Sequence, residues 1–232
     1  GAHTASLTGL VPDTTYFYRL AASNGVGISW APSSASFHTP TAEGVLDVAI
    51  ASSGDDAEQA QSGRMESPVA LNSPKLDLVY DPTGTPVRSN QVVGLRFTGV
   101  GIPSGMTVLE AWIQFTAAEA GGDDGLLTVQ AQAHTTPPPF VFLTSNISSR
   151  TRTTNSVAWA PAPWRVAGEA GPPERTPSLR GMVQEVIDRQ FWVEGNPLVF
   201  IVSGTGRRVA ESFDTPGGHP ARLHLSWTPT PY

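Results

Sequence analysis

The chain has no cysteine among its 232 residues, which excludes a disulfide framework, a thiolate metal site and a cysteine nucleophile together. Of its 14 basic residues only Lys75 is a lysine, and the net charge is −6. No basic stripe could neutralise a run of phosphates, so nucleic acid is not an expected partner. No apolar run approaches the ~18 residues that a membrane-crossing helix requires, so no membrane span is expected. Catalytic signatures are also missing: there is no G-x-S-x-G and no H-E-x-x-H. The histidines at 3, 38, 134, 219 and 224 show no metal-ligand spacing. A glycosidase needs two carboxylates across a cleft, and Glu110 and Glu185 read as solvated strand and helix residues. Catalysis is therefore not expected. The start at Gly1, with neither an initiator methionine nor a signal peptide, fits a processed or partial natural product.

What the chain has in quantity is turn residues, with Gly 23 and Pro 21 against 15% charged. Short β-rich runs bounded by Gly, Pro, Asp or Asn repeat along it, which predicts an all-β sandwich or barrel. The expected strands are Val45 to Ala51, Lys75 to Tyr80, Gln91 to Phe97, Thr107 to Thr116, Leu126 to Ala133, Leu198 to Val202, Arg208 to Phe213 and Ala221 to Trp227. Within 107–116, alternation puts Leu109, Ala111, Ile113 and Phe115 on the core face. The stretch Gly54-Asp55-Asp56-Ala57-Glu58 reads as an acidic turn. A single helix is predicted over 177–189. Thr176 is its N-cap and Pro177 its first residue, and Leu179, Met182, Val183, Val186 and Ile187 form its buried stripe. Between 134 and 170 periodicity fades into a long loop rich in proline, arginine and tryptophan, of a length that is either functional or disordered, with the tryptophans and arginines favouring an ordered loop.

Residues 10–18, Leu-Val-Pro-Asp-Thr-Thr-Tyr-Phe-Tyr, carry an L-x-P-x-T-x-Y pattern. This segment resembles the second half of a fibronectin type III module, which implies that Tyr16 closes a corner by hydrogen-bonding back to upstream backbone. Residues 1–40 offer only about three strands of that sandwich, followed by a linker at 41–44. The half-module leaves Tyr16, Tyr18, Leu20 and Phe37 to be covered from elsewhere: by upstream strands, by a neighbouring copy, or by the rest of the chain folding back. The chain is thus expected to be a piece of something larger. Residues 45–228 resemble the DNRLRE-type carbohydrate-binding modules. The resemblance rests on Val93-Gly94-Leu95-Arg96-Phe97, on Ile102-Pro103-Ser104-Gly105 leading into Ala111-Trp112-Ile113-Gln114-Phe115, on 176–186, and on Ala210-Glu211-Ser212-Phe213-Asp214. It implies a jelly-roll-like sandwich in an exported or cell-surface protein.

Two candidate sites follow. Sugars are held by stacking on exposed aromatics with polar groups on their hydroxyls, so Trp159, Trp164 and Arg165, with Arg150 and Arg152, form the expected glycan site, and the arginines suit an acidic polysaccharide. Jelly-roll modules of the kind resembled often carry a structural calcium where first and last strands meet. Asp55, Asp56 and Glu58, with Glu211 and Asp214 of the closing hairpin, are its candidate ligands. The expected function is a non-catalytic glycan-binding or adhesive module. The alternative is a subunit of an extracellular fibre or layer, assembled through neighbouring subunits that complete the open half-module.

Overall fold

The computed structural model describes residues 7, 9–39, 43–62, 65–66, 69–83 and 89–230. His3 and positions 41 and 42 of the expected linker lie outside them. The chain is an all-β protein with one α-helix among the described residues.

Four short strands make up the N-terminal segment: β1 (Thr15–Tyr18), β2 (Ala21–Asn24), β3 (Gly27–Trp30) and β4 (Ala35–His38). β1 pairs with β4, and β2 with β3 in a hairpin. The Asn24 side chain accepts from the backbone N–H of Val26 and Gly27, which fixes that turn. The expected corner is formed. The Val11 N–H donates to the Tyr16 hydroxyl at 2.8 Å.

The larger part begins with β5 (Gly44–Ala49) and β6 (Asp56–Ser62), then β7 (Met65–Glu66), β8 (Lys75–Leu78), β9 (Tyr80–Asp81), β10 (Ser89–Phe97), β11 (Met106–Gln114), β12 (Leu127–Ala131) and β13 (Val157–Trp159). It closes with α1 (Arg180–Ile187), β14 (Leu198–Gly204), β15 (Arg208–Glu211) and β16 (Arg222–Pro229). One sheet runs β13-β12-β14-β10-β6-β7 with β9 beside β10, a second runs β11-β16-β5, and β8 pairs with β15. All pairings are antiparallel.

The main core lies between the two larger sheets and α1, and includes Phe97, Phe115, Phe200, Ile113 and Val183. A smaller cluster, including Val92, Val199, Ile201, Phe140 and Ile147, covers the other face of the large sheet. This is why β14 reads as an unbroken apolar run from Leu198 to Val202: it is buried on both sides. Gly94 makes the second cluster possible, because a Cβ there would collide with the Phe140 ring.

Three expectations need correcting. The alternation in β11 holds from Ala111 onward, but the register shifts between Val108 and Glu110. A bulge adds one residue and reverses the parity of everything before it, so Met106 and Val108 are buried and Leu109 is exposed. The acidic turn holds only at Gly54 and Asp55, because Asp56 to Gln61 pair with β10 as a strand. The helix begins at Arg180 with Leu179 as its N-cap, and no side chain caps it. The Thr176 hydroxyl instead accepts the Ile113 N–H at 2.9 Å, anchoring the approach to the helix against β11.

Candidate functional site

The expected glycan platform is not on the surface. Trp159 is 4% exposed and Trp164 1%. Their rings pack against Phe115, with centroids 5.8 and 6.3 Å away. Trp164 Nε1 donates to the Pro173 carbonyl at 3.1 Å. Neither indole can meet a sugar without opening the core. Trp159 ends β13, where Val157 and Trp159 alternate inward around an exposed Ala158. That short alternation was the available signal, masked by the flanking prolines. Arg165 is exposed, but Arg150 and Arg152 do not join it in one array. The Arg150 guanidinium donates to the Pro138 and Pro139 carbonyls and lies 4.3 Å over the Phe140 ring, tying down the loop that roofs the second cluster. Burial, with Arg96 nearby, lowers its pKa to about 10. Arg152 reaches Gln130 and Ser203 at 3.3 and 3.4 Å.

The five acidic candidates divide. Asp55 is paired with Arg96 at 2.5 Å and accepts from the Ser52 hydroxyl at 2.7 Å. Asp56 is buried and accepts from the Phe213 N–H at 2.8 Å. Burial first, then the charges of Asp214 and Asp55, push its pKa up to about 7. Asp214 takes the Ser53 hydroxyl on one oxygen at 2.8 Å, while its other oxygen is buried without a hydrogen-bond partner. Glu58 turns away, accepting from the Asp77 N–H and the Gln91 amide at 2.6 and 2.8 Å. Burial raises its pKa to about 7 as well. Glu211 accepts the His219 N–H at 2.5 Å. The five thus have separate protein hydrogen-bond partners rather than a shared one. No group of three or more His, Asp or Glu among the described residues is arranged to hold a metal. The closest approach to the expected site is Asp56 beside Asp214.

A more open arrangement crosses the outer face of the three-stranded sheet. Asp47, His224 and Trp112 are cross-strand neighbours on β5, β16 and β11. His224 Nδ1 lies 3.1 Å from Asp47 and its ring stacks on the Trp112 indole at 3.9 Å. The Arg175 guanidinium sits 4.7 Å over the same indole, and its Nε donates to the Gln114 side chain at 3.1 Å. Glu110 stands 3.9 Å from His224 Nε2. The result is a strip of carboxylate, imidazole, indole and guanidinium. Antiparallel pairing builds it because residues directly opposite one another share a face. Trp112 and His224 are not joined in the sequence, because no pattern in one strand reveals which residue lies opposite in the next.

The N-terminal segment has a different surface. Tyr16 and Phe37 stack on each other at 5.7 Å and are half-buried, but Phe17, Leu20, Ile28 and Trp30 are 59–77% exposed. Tyr18 is exposed too. The larger part does not cover Tyr18 or Leu20, which stay exposed. No helix among the described residues is long and apolar enough to cross a membrane. No protein-family model matches the chain, and no curated protein does either.

Proposed function

We propose that the chain is a non-catalytic binding module of a larger exported or cell-surface protein, and that it holds polysaccharide. The observation that supports this best is the strip Asp47–His224–Trp112–Arg175. Sugar hydroxyls need donors and acceptors held at fixed spacing beside an apolar edge, and a sheet supplies these without loop ordering. The large sheet does not offer the same, because both its faces are covered by apolar clusters. Retention on immobilised polysaccharides tests the reading. The wild-type chain is retained and the double variant Trp112→Ala/His224→Ala elutes early with its fold intact by circular dichroism; equal elution of the two would remove the strip from the binding site. Calcium enters this reading only through Asp56 and Asp214, and a rise in melting temperature on adding calcium, lost in Asp214→Asn, is its test.

A second reading is favoured by the exposure of Phe17, Leu20, Ile28 and Trp30. Large apolar side chains left exposed in one short segment fit a protein–protein contact, and strands donated by a neighbouring subunit would complete the sandwich. On this reading the protein is a fibre or layer subunit. Light scattering over a hundredfold concentration range separates the two: a subunit grows into oligomers, whereas a monodisperse monomer at all concentrations leaves the first reading alone.

A further inference from the structure

Phe191 occupies backbone that glycine would be expected to fill. Its φ is +75°, in the left-handed region where the Cβ of a bulky residue crowds the chain. Its ring is 77% exposed, so burial offsets none of that strain. Both flanks are fixed. Trp192 is buried, and its Nε1 donates to the Ile102 carbonyl at 2.9 Å. Its backbone N–H closes the turn on Arg189 at 3.1 Å, and the Gly195 N–H is bound to Val100 at 2.8 Å. The phenyl ring is thus carried on a turn pinned to the core. Strain of this kind at an exposed, well-held position is a mark of function.

Beside the ring lies an open depression of about 430 Å³, lined by Ala133, His134, Thr135, Arg189, Gln190 and Phe191. That volume is within the range of small-molecule sites. His134 Nδ1 accepts the Thr136 N–H at 3.0 Å, which leaves Nε2 as the donor of the neutral ring. Arg189, His134 Nε2 and Gln190 can all donate, and no carboxylate lines the depression.

We propose that this depression is a binding site for a hexuronic acid unit of a polysaccharide. The apolar face of the pyranose stacks on Phe191, its carboxylate meets the Arg189 guanidinium, and its hydroxyls take hydrogen bonds from His134 and Gln190. The proposal rests on the polysaccharide reading above and gives it a ligand class and a second point of contact. Titration calorimetry with an oligogalacturonate and, as the neutral control, a cello-oligosaccharide tests it. The wild-type chain binds the uronate oligomer more tightly. Phe191→Gly weakens that binding at least tenfold while melting at the same temperature or higher, because it relieves the strained φ, and this pairing separates lost contact from lost fold. Phe191→Trp stays within threefold of wild type. Arg189→Gln removes the preference for the uronate over the neutral oligomer. Full affinity in Phe191→Gly, or an undiminished uronate preference in Arg189→Gln, overturns the site. If wild type binds glycans and only Trp112→Ala/His224→Ala weakens them, this site alone fails; if wild type binds no glycan, the polysaccharide reading fails and takes the site with it.

Discussion

The two parts of the chain use the same antiparallel strands with opposite results. In residues 43–230 the alternation of β11, β12 and β16 sends one row of side chains into a shared interior, and strands such as β14 are buried on both faces. In residues 9–39 β1 pairs only with β4 and β2 only with β3, and even the inward-reading Tyr18 and Leu20 stay in contact with water. The difference lies in strand number. A two-stranded ribbon has no second layer to bury its face against, and is marginal by itself. The larger part packs most of its apolar side chains into its own interior, while the N-terminal part leaves Phe17, Leu20, Ile28 and Trp30 in contact with water.

The largest effect expected from breaking that contrast is in the closed part. Trp164→Ala removes an indole that is fully buried against Phe115 and should cost about 3–5 kcal/mol, read as a lower urea midpoint. Gly94→Ala drives a methyl group into the Phe140 ring and should cost about 1–3 kcal/mol by overpacking, detaching the 134–150 loop and quickening its proteolysis.

The next effect sharpens the comparison through pH. Asp56 and Glu58 have folded-state pKa values of about 7, above their ordinary 3.8 and 4.5. Between those limits the folded chain holds more protons than the unfolded one, so stability falls as pH rises through that window. The stabilising contribution is complete below about pH 4 and gone above about pH 7. Hydrogen bonds from Lys75 hold Glu119 below the usual carboxylate range, an opposite trend that solvent weakens because Glu119 is partly exposed. The urea midpoint should be higher at pH 5 than at pH 8, and Asp56→Asn should raise it at pH 8 and flatten the slope. The smallest effect is expected in the open part, where Leu20→Ser and Ile28→Ser should change the stability of the larger part by less than about 0.5 kcal/mol. Under the assembly reading the same two changes abolish oligomers.

Much of the fold was legible because burial on one face writes itself into period two. The strands near 45–51, 91–97, 198–202 and 221–227 all appear close to where the alternation or the apolar run puts them, and the tyrosine corner is made as its pattern implies. What escaped reading depends on partners distant in sequence. Leu109 reads as core until β16 imposes a bulge. Asp56 and Glu58 read as turn residues because a buried carboxylate makes sense only once the Phe213 and Asp77 backbone N–H groups are seen to meet them. Thr176 reads as a cap until Ile113 claims its hydroxyl. The candidate site was less legible still. Trp159 and Trp164 looked available in a non-periodic loop, whereas nothing in the sequence joins the half-open Trp112 to His224 or Arg175, and the strained φ of Phe191 leaves no trace in its own identity.

The most direct test of a surface, rather than interior, ligand site is an NMR titration of the intact chain with an oligogalacturonate, following its indole N–H resonances. Binding on the outer sheet face should shift the Trp112 indole and leave those of Trp159 and Trp164 unmoved. Shifts at Trp159 and Trp164 with Trp112 silent would contradict it.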